Sequence, residues 1–193
     1  GRVIDAAQKA AKLTDQMLAF SGKGHFSKTR VNLSQQVEEM ASLCQSTVPR
    51  SIDFIVDLGP DRAEVAFDTS QFQQIVLNLL TNAVKFTESG HIEIKAYPLP
   101  LRKQGECRVL FLISDTGVGI LDEFLGQLFS PFTQAEQSHK RRFQGAGLGL
   151  TIAKRLVELM DGNMAVETEA GIGSTFYVCL PFEVAASETS EQD

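Results

Sequence analysis

Gly145-Ala-Gly147-Leu-Gly149-Leu150 runs straight into TIAKRLVELMDG (151–162), a glycine-studded loop feeding a helical run. Glycine lets a ligand approach the backbone closely. A helix start offers bare N–H groups at the positive end of the helix dipole, so the junction suits a phosphate. It is not the dinucleotide-binding fingerprint, because the third glycine comes one position early and no βαβ unit surrounds it. It is not a P-loop either, because no Gly-Lys-Ser/Thr follows. Upstream stands Asp115-Thr-Gly117-Val-Gly119-Ile120, and further upstream Asn78-Leu-Leu-Thr-Asn82-Ala-Val-Lys85-Phe86. Each piece alone is common; in this order they describe one nucleotide pocket.

Asn78 and Asn82 stand at i and i+4 of a helical pattern, so both project from one face. On a face otherwise apolar, two amides need partners if buried. Asn82 offers a hard oxygen to Mg²⁺, with Asn78 supporting it, and Lys85 one turn on can reach a phosphate. Taken singly, the asparagines read as ordinary polar positions of an amphipathic helix and Lys85 as a solvated surface residue. Asp115 closes the apolar strand CRVLFLISD, where a buried carboxylate is costly unless hydrogen-bonded. A neutral donor such as the exocyclic amine of adenine is its natural partner. Lys140, Arg141 and Arg142 share a polar, glycine-bearing stretch, 133–147, that reads as a mobile loop able to close over phosphates. A solvated charge run reads the same way. Phe129 and Phe132, either side of Pro131, are equally consistent with anchoring the start of that loop and with a core-only role.

Bulk composition narrows the classes. The chain has 193 residues, 43% of them hydrophobic, and a formal net charge of −6, enough for one domain plus an appendage. That charge argues against a nucleic-acid binder, which needs a basic face. Cys44, Cys107 and Cys179 lack CxxC spacing and His25, His91 and His139 are scattered. Thiols in a reducing compartment are therefore expected, and neither a disulfide framework nor a zinc site. No signal peptide is evident and no apolar run is long enough to span a bilayer, so a cytoplasmic piece that does not itself enter the membrane is expected, whatever anchors a longer parent.

Residues 2–21 carry Ile4, Ala7, Ala11, Leu13, Met17, Leu18 and Phe20 at roughly helical spacing, ended by Gly22 and Gly24. Residues 28–32 read as an edge strand. Asn32 with Gln35 forms a capping box for a helix through about Thr47. Strands follow at 52–58 and 63–67. Asp68 caps a long helix, 69–86, with Phe72, Ile75, Val76, Leu79 and Val84 on its apolar face. HIEIKAY (91–97) and CRVLFLISD (107–115) read as a hairpin, LDEFLGQLF (121–129) as a short helix and Thr151–Asp161 as a helix closed by Gly162. NMAVETE and STFYVCLPF form a last hairpin across Ala170–Gly173, and 184–193 is a polar, acidic tail. Helices interleaved with mostly hairpin-joined strands predict an α+β, two-layer sandwich: one mixed sheet with helices on one face.

The boxes QQIVLNLLTNAVKFT, DTGVGI, LFSPFTQ and GAGLGL, with the last turn Gly171-Ile-Gly173-Ser-Thr-Phe176, resemble the catalytic ATP-binding domain of sensor histidine kinases over roughly residues 28–182. The resemblance implies the Bergerat fold, preceded by part of a helical hairpin. Residues 1–24 would be the tail of the second dimerisation helix, 25–183 the catalytic domain, and 184–193 a tail or linker. It implies ATP and Mg²⁺ as ligands. Asn78, Asn82 and Lys85 of the asparagine box and Asp115, Gly117, Gly119 and Ile120 of the first glycine box would contact the nucleotide. So would Phe132 of the phenylalanine box, Gly145, Gly147, Leu148 and Gly149 of the second glycine box, and Thr175 of the last turn, although Thr175 and Phe176 by themselves read as packing rather than contact residues. Asn82 would hold the metal, Asp115 would specify adenine, and Asn78, Lys85 and a loop cation, taken as Arg142, would form the catalytic set. Partners implied are ATP or ADP, a phosphoacceptor hairpin of the same protein (in cis or in trans within a homodimer) and a response regulator or receiver domain. The acceptor motif, a histidine followed by an acidic residue, has no match here; His25 is followed by Phe26-Ser-Lys28. Related folds in gyrase, mismatch-repair ATPases and heat-shock chaperones carry a glutamate general base where this chain has Asn78. An amide takes no proton, which favours phosphoryl transfer over hydrolysis. An anti-sigma-factor-type serine kinase, a related ATPase and a nucleotide-binding module are the alternatives.

Overall fold

The computed structural model describes residues 28–46, 48–59, 64–100, 105–131 and 147–184. The expected N-terminal helix, the loop bearing Phe132, Lys140, Arg141, Arg142 and Gly145, and the acidic tail lie outside the described residues.

Strand β1 (Thr29–Asn32) leads into helix α1 (Leu33–Gln45). Asn32 caps that helix by accepting from the Gln35 N–H at 3.0 Å, as its position predicts. The Gln35 side-chain amide donates to Glu39 at 3.0 Å, one turn further along the helix. β2 (Ile52–Asp57) and β3 (Glu64–Phe67) precede α2 (Thr69–Phe86), whose cap is Asp68, accepting from the N–H groups of Ser70 and Gln71. β4 (Gly90–Leu99) and β5 (Glu106–Asp115) form a long hairpin. Only Asp122–Leu125 of the expected LDEFLGQLF helix is helical (α3), and turns carry the chain on. α4 spans Gly149–Leu159, followed by β6 (Asn163–Glu169) and β7 (Gly173–Val184).

α4 departs from expectation at both ends. It starts two residues early, so Gly149 is its first residue rather than part of the preceding loop. At its C-terminus the left-handed residue is Asp161 (φ 55°), not Gly162. The Asp161 N–H donates to Glu158 O and the Gly162 N–H to Val157 O at 2.8 Å, the paired bonds of a Schellman closure. Gly162 is needed for another reason. A Cβ there would stand 2.6 Å from both the Cys179 carbonyl oxygen and Leu180 Cδ2.

The sheet follows the order β1-β3-β7-β5-β4-β2. β5 lies along one edge of β7; β6 and then β3 share the other. β2 and β4 are parallel and the remaining pairs antiparallel, so the sheet is mixed, as expected. Period-two alternation puts Ile92, Ile94, Val109, Phe111, Ile113, Phe176, Val178, Leu180 and Phe182 on one face, all buried. Phe72, Ile75, Leu79 and Leu80 of α2, Val37 and Met40 of α1, and Ile152, Leu156 and Val157 of α4 complete the core. Phe67, Phe72, Phe111 and Phe182 pack mostly edge to face, with centroids 5.1 to 6.3 Å apart. The result is the predicted two-layer α+β sandwich.

Candidate functional site: a cleft where strand ends meet two helices

The C-terminal half of α2 and the first turn of α4 adjoin. Gly149 sits so close to α2 that a Cβ on it would reach 3.7 Å from Asn78 Oδ1 and 3.8 Å from Asn82 Nδ2. The helical spacing that put both amides on one face therefore aims them at the helix start read as a phosphate site. Asn78 Oδ1 accepts from Gln74 Nε2 at 3.2 Å. Its Nδ2 is buried and has no partner among the described residues. Such a group is costly to bury unless a ligand or water takes the hydrogen bond.

One turn further, Lys85 is half-buried, with its ammonium 4.8 Å from the Phe86 ring. Burial lowers its pKa from the ordinary lysine value. A cation held partly out of water is primed for an anionic partner.

The base end of the cleft is built from strand termini. Asp115 is the last residue of β5, cross-strand from Ile92 and from Ser174 at the start of β7. Burial raises the Asp115 pKa above the ordinary aspartate value, and N–H bonds from Gly117 and Ser174 pull it part of the way back. The Gly117 bond is 2.9 Å. The Asp-Thr-Gly loop is clamped on every side. Thr116 Oγ1 takes the His91 N–H at 2.9 Å, and the Val118 N–H reaches the Phe86 carbonyl. A Cβ on Gly117 would stand 2.4 Å from that same carbonyl oxygen, and one on Gly119 (φ 65°) 2.1 Å from Glu169 O. These two glycines exist for close backbone approach, whereas Gly149 leaves room facing the asparagines. Gly147 (φ 67°) turns the chain into α4.

Of the other expected contacts, Ile120 and Leu148 are partly buried against the core, and Ile120 donates its N–H to Thr168 Oγ1. Phe129 packs against the core with the Lys154 ammonium 4.7 Å from its ring. Thr175 lies on the other face of the sheet. Its hydroxyl donates to Ser114 Oγ at 3.0 Å, on the sheet face turned away from the helices. Alternation is the cause: with Phe176 and Val178 both inward, every second residue of β7 faces the core, so Ser174 and not Thr175 shares the face of Asp115. Ser174, buried, is the last-turn residue beside Asp115 that the box reading did not single out. The period of STFYVCLPF, whose aromatic and aliphatic members mark the inner face, carried the signal. The small apolar cavity of about 30 Å³ lined by Leu33, Val37, Cys107 and Phe111 lies toward the start of β5, away from this cleft.

The Asn82 side-chain oxygen is of the kind that would suit a Mg²⁺ held mostly by phosphates and water. Among the described residues no group of three histidine, cysteine or acidic side chains offers a rival metal site.

The family model described as histidine kinase-, DNA gyrase B- and HSP90-like ATPase matches residues 67–184. The chain belongs to that family. Similar curated proteins include the autoinducer 2 sensor kinase/phosphatase LuxQ of Vibrio vulnificus, 43% identical over 63% of this chain and 14% of its own length. The peroxide stress-activated histidine kinase mak2 of Schizosaccharomyces pombe is 32% identical over 94% of this chain and 8% of its own length. The circadian input-output histidine kinase CikA of Synechococcus elongatus is 35% identical over 93% of this chain and 22% of its own length. The chain thus spans under a quarter of the length of these relatives. Among solved structures, full-length ShkA in complex with AMPPNP superposes with a TM-score of 0.77 at 29% identity, covering 95% of this chain and 38% of that one. The nucleotide-free catalytic domain of histidine kinase ThkA gives 0.63 at 26%, covering 82% of this chain and 96% of that one. The Bergerat-type family fold and the histidine-kinase resemblance of the boxes therefore agree. No helix of the described residues is long and apolar enough to cross a membrane.

Proposed function

We propose that this chain is the catalytic ATP-binding part of a cytoplasmic sensor histidine kinase. It binds Mg-ATP in the cleft between α2, α4 and the ends of β5 and β7. It transfers the γ-phosphoryl to a histidine on the dimerisation hairpin of its own protein, for relay to an aspartate of a response regulator. Residues 25–183 form the catalytic unit, with 1–24 as the end of the hairpin and 184–193 as a tail or linker.

Asn78 carries this reading. Its amide stands beside the start of α4 with Nδ2 lacking a partner among the described residues, and it can donate a hydrogen bond but cannot act as a general base. The pocket holds and orients phosphates without activating water. Asn82 offers its amide oxygen to Mg²⁺, which supplies charge neutralisation across the phosphates. Lys85 and a loop cation, Arg142 in our assignment, balance the charge that spreads over the transferred group. Asp115 selects adenine by accepting from its amine. ShkA, seen with AMPPNP, and the histidine kinases among the relatives support this reading.

The test is reconstitution. The chain is mixed with the matching dimerisation hairpin and radiolabelled Mg-ATP. Label should appear on a histidine of the hairpin and be lost in acid but not in base. Acid-stable label on a serine of an added protein would point instead to the serine-kinase alternative.

A further inference from the structure

The hydroxyl of Thr168, on β6, makes three hydrogen bonds. It takes the Ile120 N–H at 3.0 Å, donates to the Gly173 carbonyl at 2.9 Å and stands 2.9 Å from Ser174 Oγ. A hydroxyl has one proton and two lone pairs. The Gly173 carbonyl can only accept, so the Thr168 proton goes there. The Ile120 amide can only donate and fills one lone pair. The second lone pair must then receive the Ser174 proton. The order of donation is fixed: Ser174 to Thr168 to Gly173.

This order commits the Ser174 proton away from its cross-strand neighbour, Asp115. The two residues share a sheet face, with such pairs about 5 Å apart. Ser174 Oγ is left with lone pairs only, beside a carboxylate that is also only an acceptor when ionised. A water placed between them would give both its protons to these oxygens and likewise offer only lone pairs. The Asp115–Ser174 pair at the base end of the cleft therefore presents side-chain acceptors and no side-chain donor.

We propose that Thr168 is a positioning residue for base selectivity: by holding the Ser174 hydroxyl as an acceptor, it makes the cleft favour a base with an exocyclic amine and disfavour one with a carbonyl at the same place. Thr168 also ties the Asp-Thr-Gly loop, through Ile120, to the β6–β7 hairpin, through Gly173, so the two walls of the base end keep one spacing. The inference rests on the cleft binding an adenine nucleotide. It adds a residue outside every glycine box.

The experiment is calorimetric titration of the whole chain with ADP and with inosine diphosphate, which carries a carbonyl where adenine carries its amine. Thr168→Val keeps the shape and removes the hydroxyl, freeing Ser174 to donate. The preference for ADP over inosine diphosphate should narrow about fivefold, the scale of one hydrogen bond. Thr168→Ser restores the hydroxyl and should restore the preference, which a purely structural role of the side chain would not require. Ser174→Ala, which removes the acceptor, should also narrow the preference and serves if Thr168→Val does not fold. A wild-type preference ratio in folded Thr168→Val, or in Ser174→Ala, overturns the proposal. So does a Thr168→Ser ratio matching that of Thr168→Val. Failure of the unmodified chain to bind ADP at all would instead overturn the nucleotide-site reading beneath it.

Discussion

Asp115 and the glycines around the cleft carry the sharpest residue-level consequences. Burial raises the Asp115 pKa in the folded chain above its unfolded value. The native state therefore binds more protons in the window between the two values, and stability falls as pH rises through it. Asp115→Asn should remove that slope and leave the ligand-free chain at least as stable at neutral pH in thermal unfolding. Nucleotide binding should respond with the opposite sign. The amine of adenine needs the ionised acceptor, so ADP affinity should weaken as pH falls through the raised pKa. Asp115→Asn should cost roughly 1.5–3 kcal/mol of binding and lose that pH component. Unchanged ADP affinity and unchanged discrimination against GTP, by calorimetry, would mean that Asp115 does not meet the base. The glycines divide in the same concrete way. The nearest atoms to a methyl at Gly149 are the amides of Asn78 and Asn82, at ordinary contact distance, so Gly149→Ala should fold normally yet bind ADP more weakly. Gly117→Ala drives a methyl to 2.4 Å from the Phe86 carbonyl oxygen and should cost about 1–3 kcal/mol of stability, read in urea unfolding.

At the scale of elements, α2 and α4 build the cleft from their ends, and each end has a separate cause. Asp68 starts α2 where the sequence places it, because a carboxylate before a helical run satisfies N–H groups that have no other partner. α2 then rises roughly 6 Å from Asn82 to Phe86, joining the phosphate end of the cleft to the base end. α4 closes with Asp161 in the left-handed region, which is unfavourable for a residue with a Cβ. Asp161→Gly should therefore stabilise the chain by about 1 kcal/mol in thermal or urea unfolding. Loss of stability would show that the Asp161 side chain makes an interaction outweighing the strain. Gly162→Ala should do the reverse, because its Cβ collides with the β7 backbone.

At the scale of the whole molecule, the cleft exists because the C-terminal end of β5, the starts of β4 and β7 and the two helices converge at one edge of the sandwich. A Cβ at Gly90 would strike the Thr116 side chain and one at Gly173 the Asp115 carbonyl oxygen, so the three strands meet there with no room for a further side chain. In the proposed reading, a site with two amides and no carboxylate at the Asn78 position positions phosphates without deprotonating water. This chain alone should hydrolyse ATP very slowly and hold no stable phosphoryl label, lacking an acceptor histidine followed by an acidic residue. Release of phosphate at the rate of a dedicated ATPase, followed in a coupled assay, would sink the phosphoryl-transfer reading.

The sequence alone determined the helix cap at Asp68, the seven strands, the mixed sheet and the order of the boxes. Each is a local or periodic property: a capping side chain, a two-residue or 3.6-residue alternation, a run of glycines. It put Asn78 and Asn82 on one helix face and Asp115 at a strand end by the same logic. The tertiary structure decided what depends on distance between segments. It assigned Gly117, Gly119 and Gly162 to backbone contacts with chain far away in sequence, and left Gly149 facing the amides. It put Asp161 rather than Gly162 in the left-handed turn, and Gly162 against β7. It turned Thr175 outward and Ser174 inward, a one-residue parity that the apolar members of β7 encode but that the box alone does not. It also brought Thr168 to Ser174, a pairing of hydroxyls that exists only once β6 has docked in register on β7.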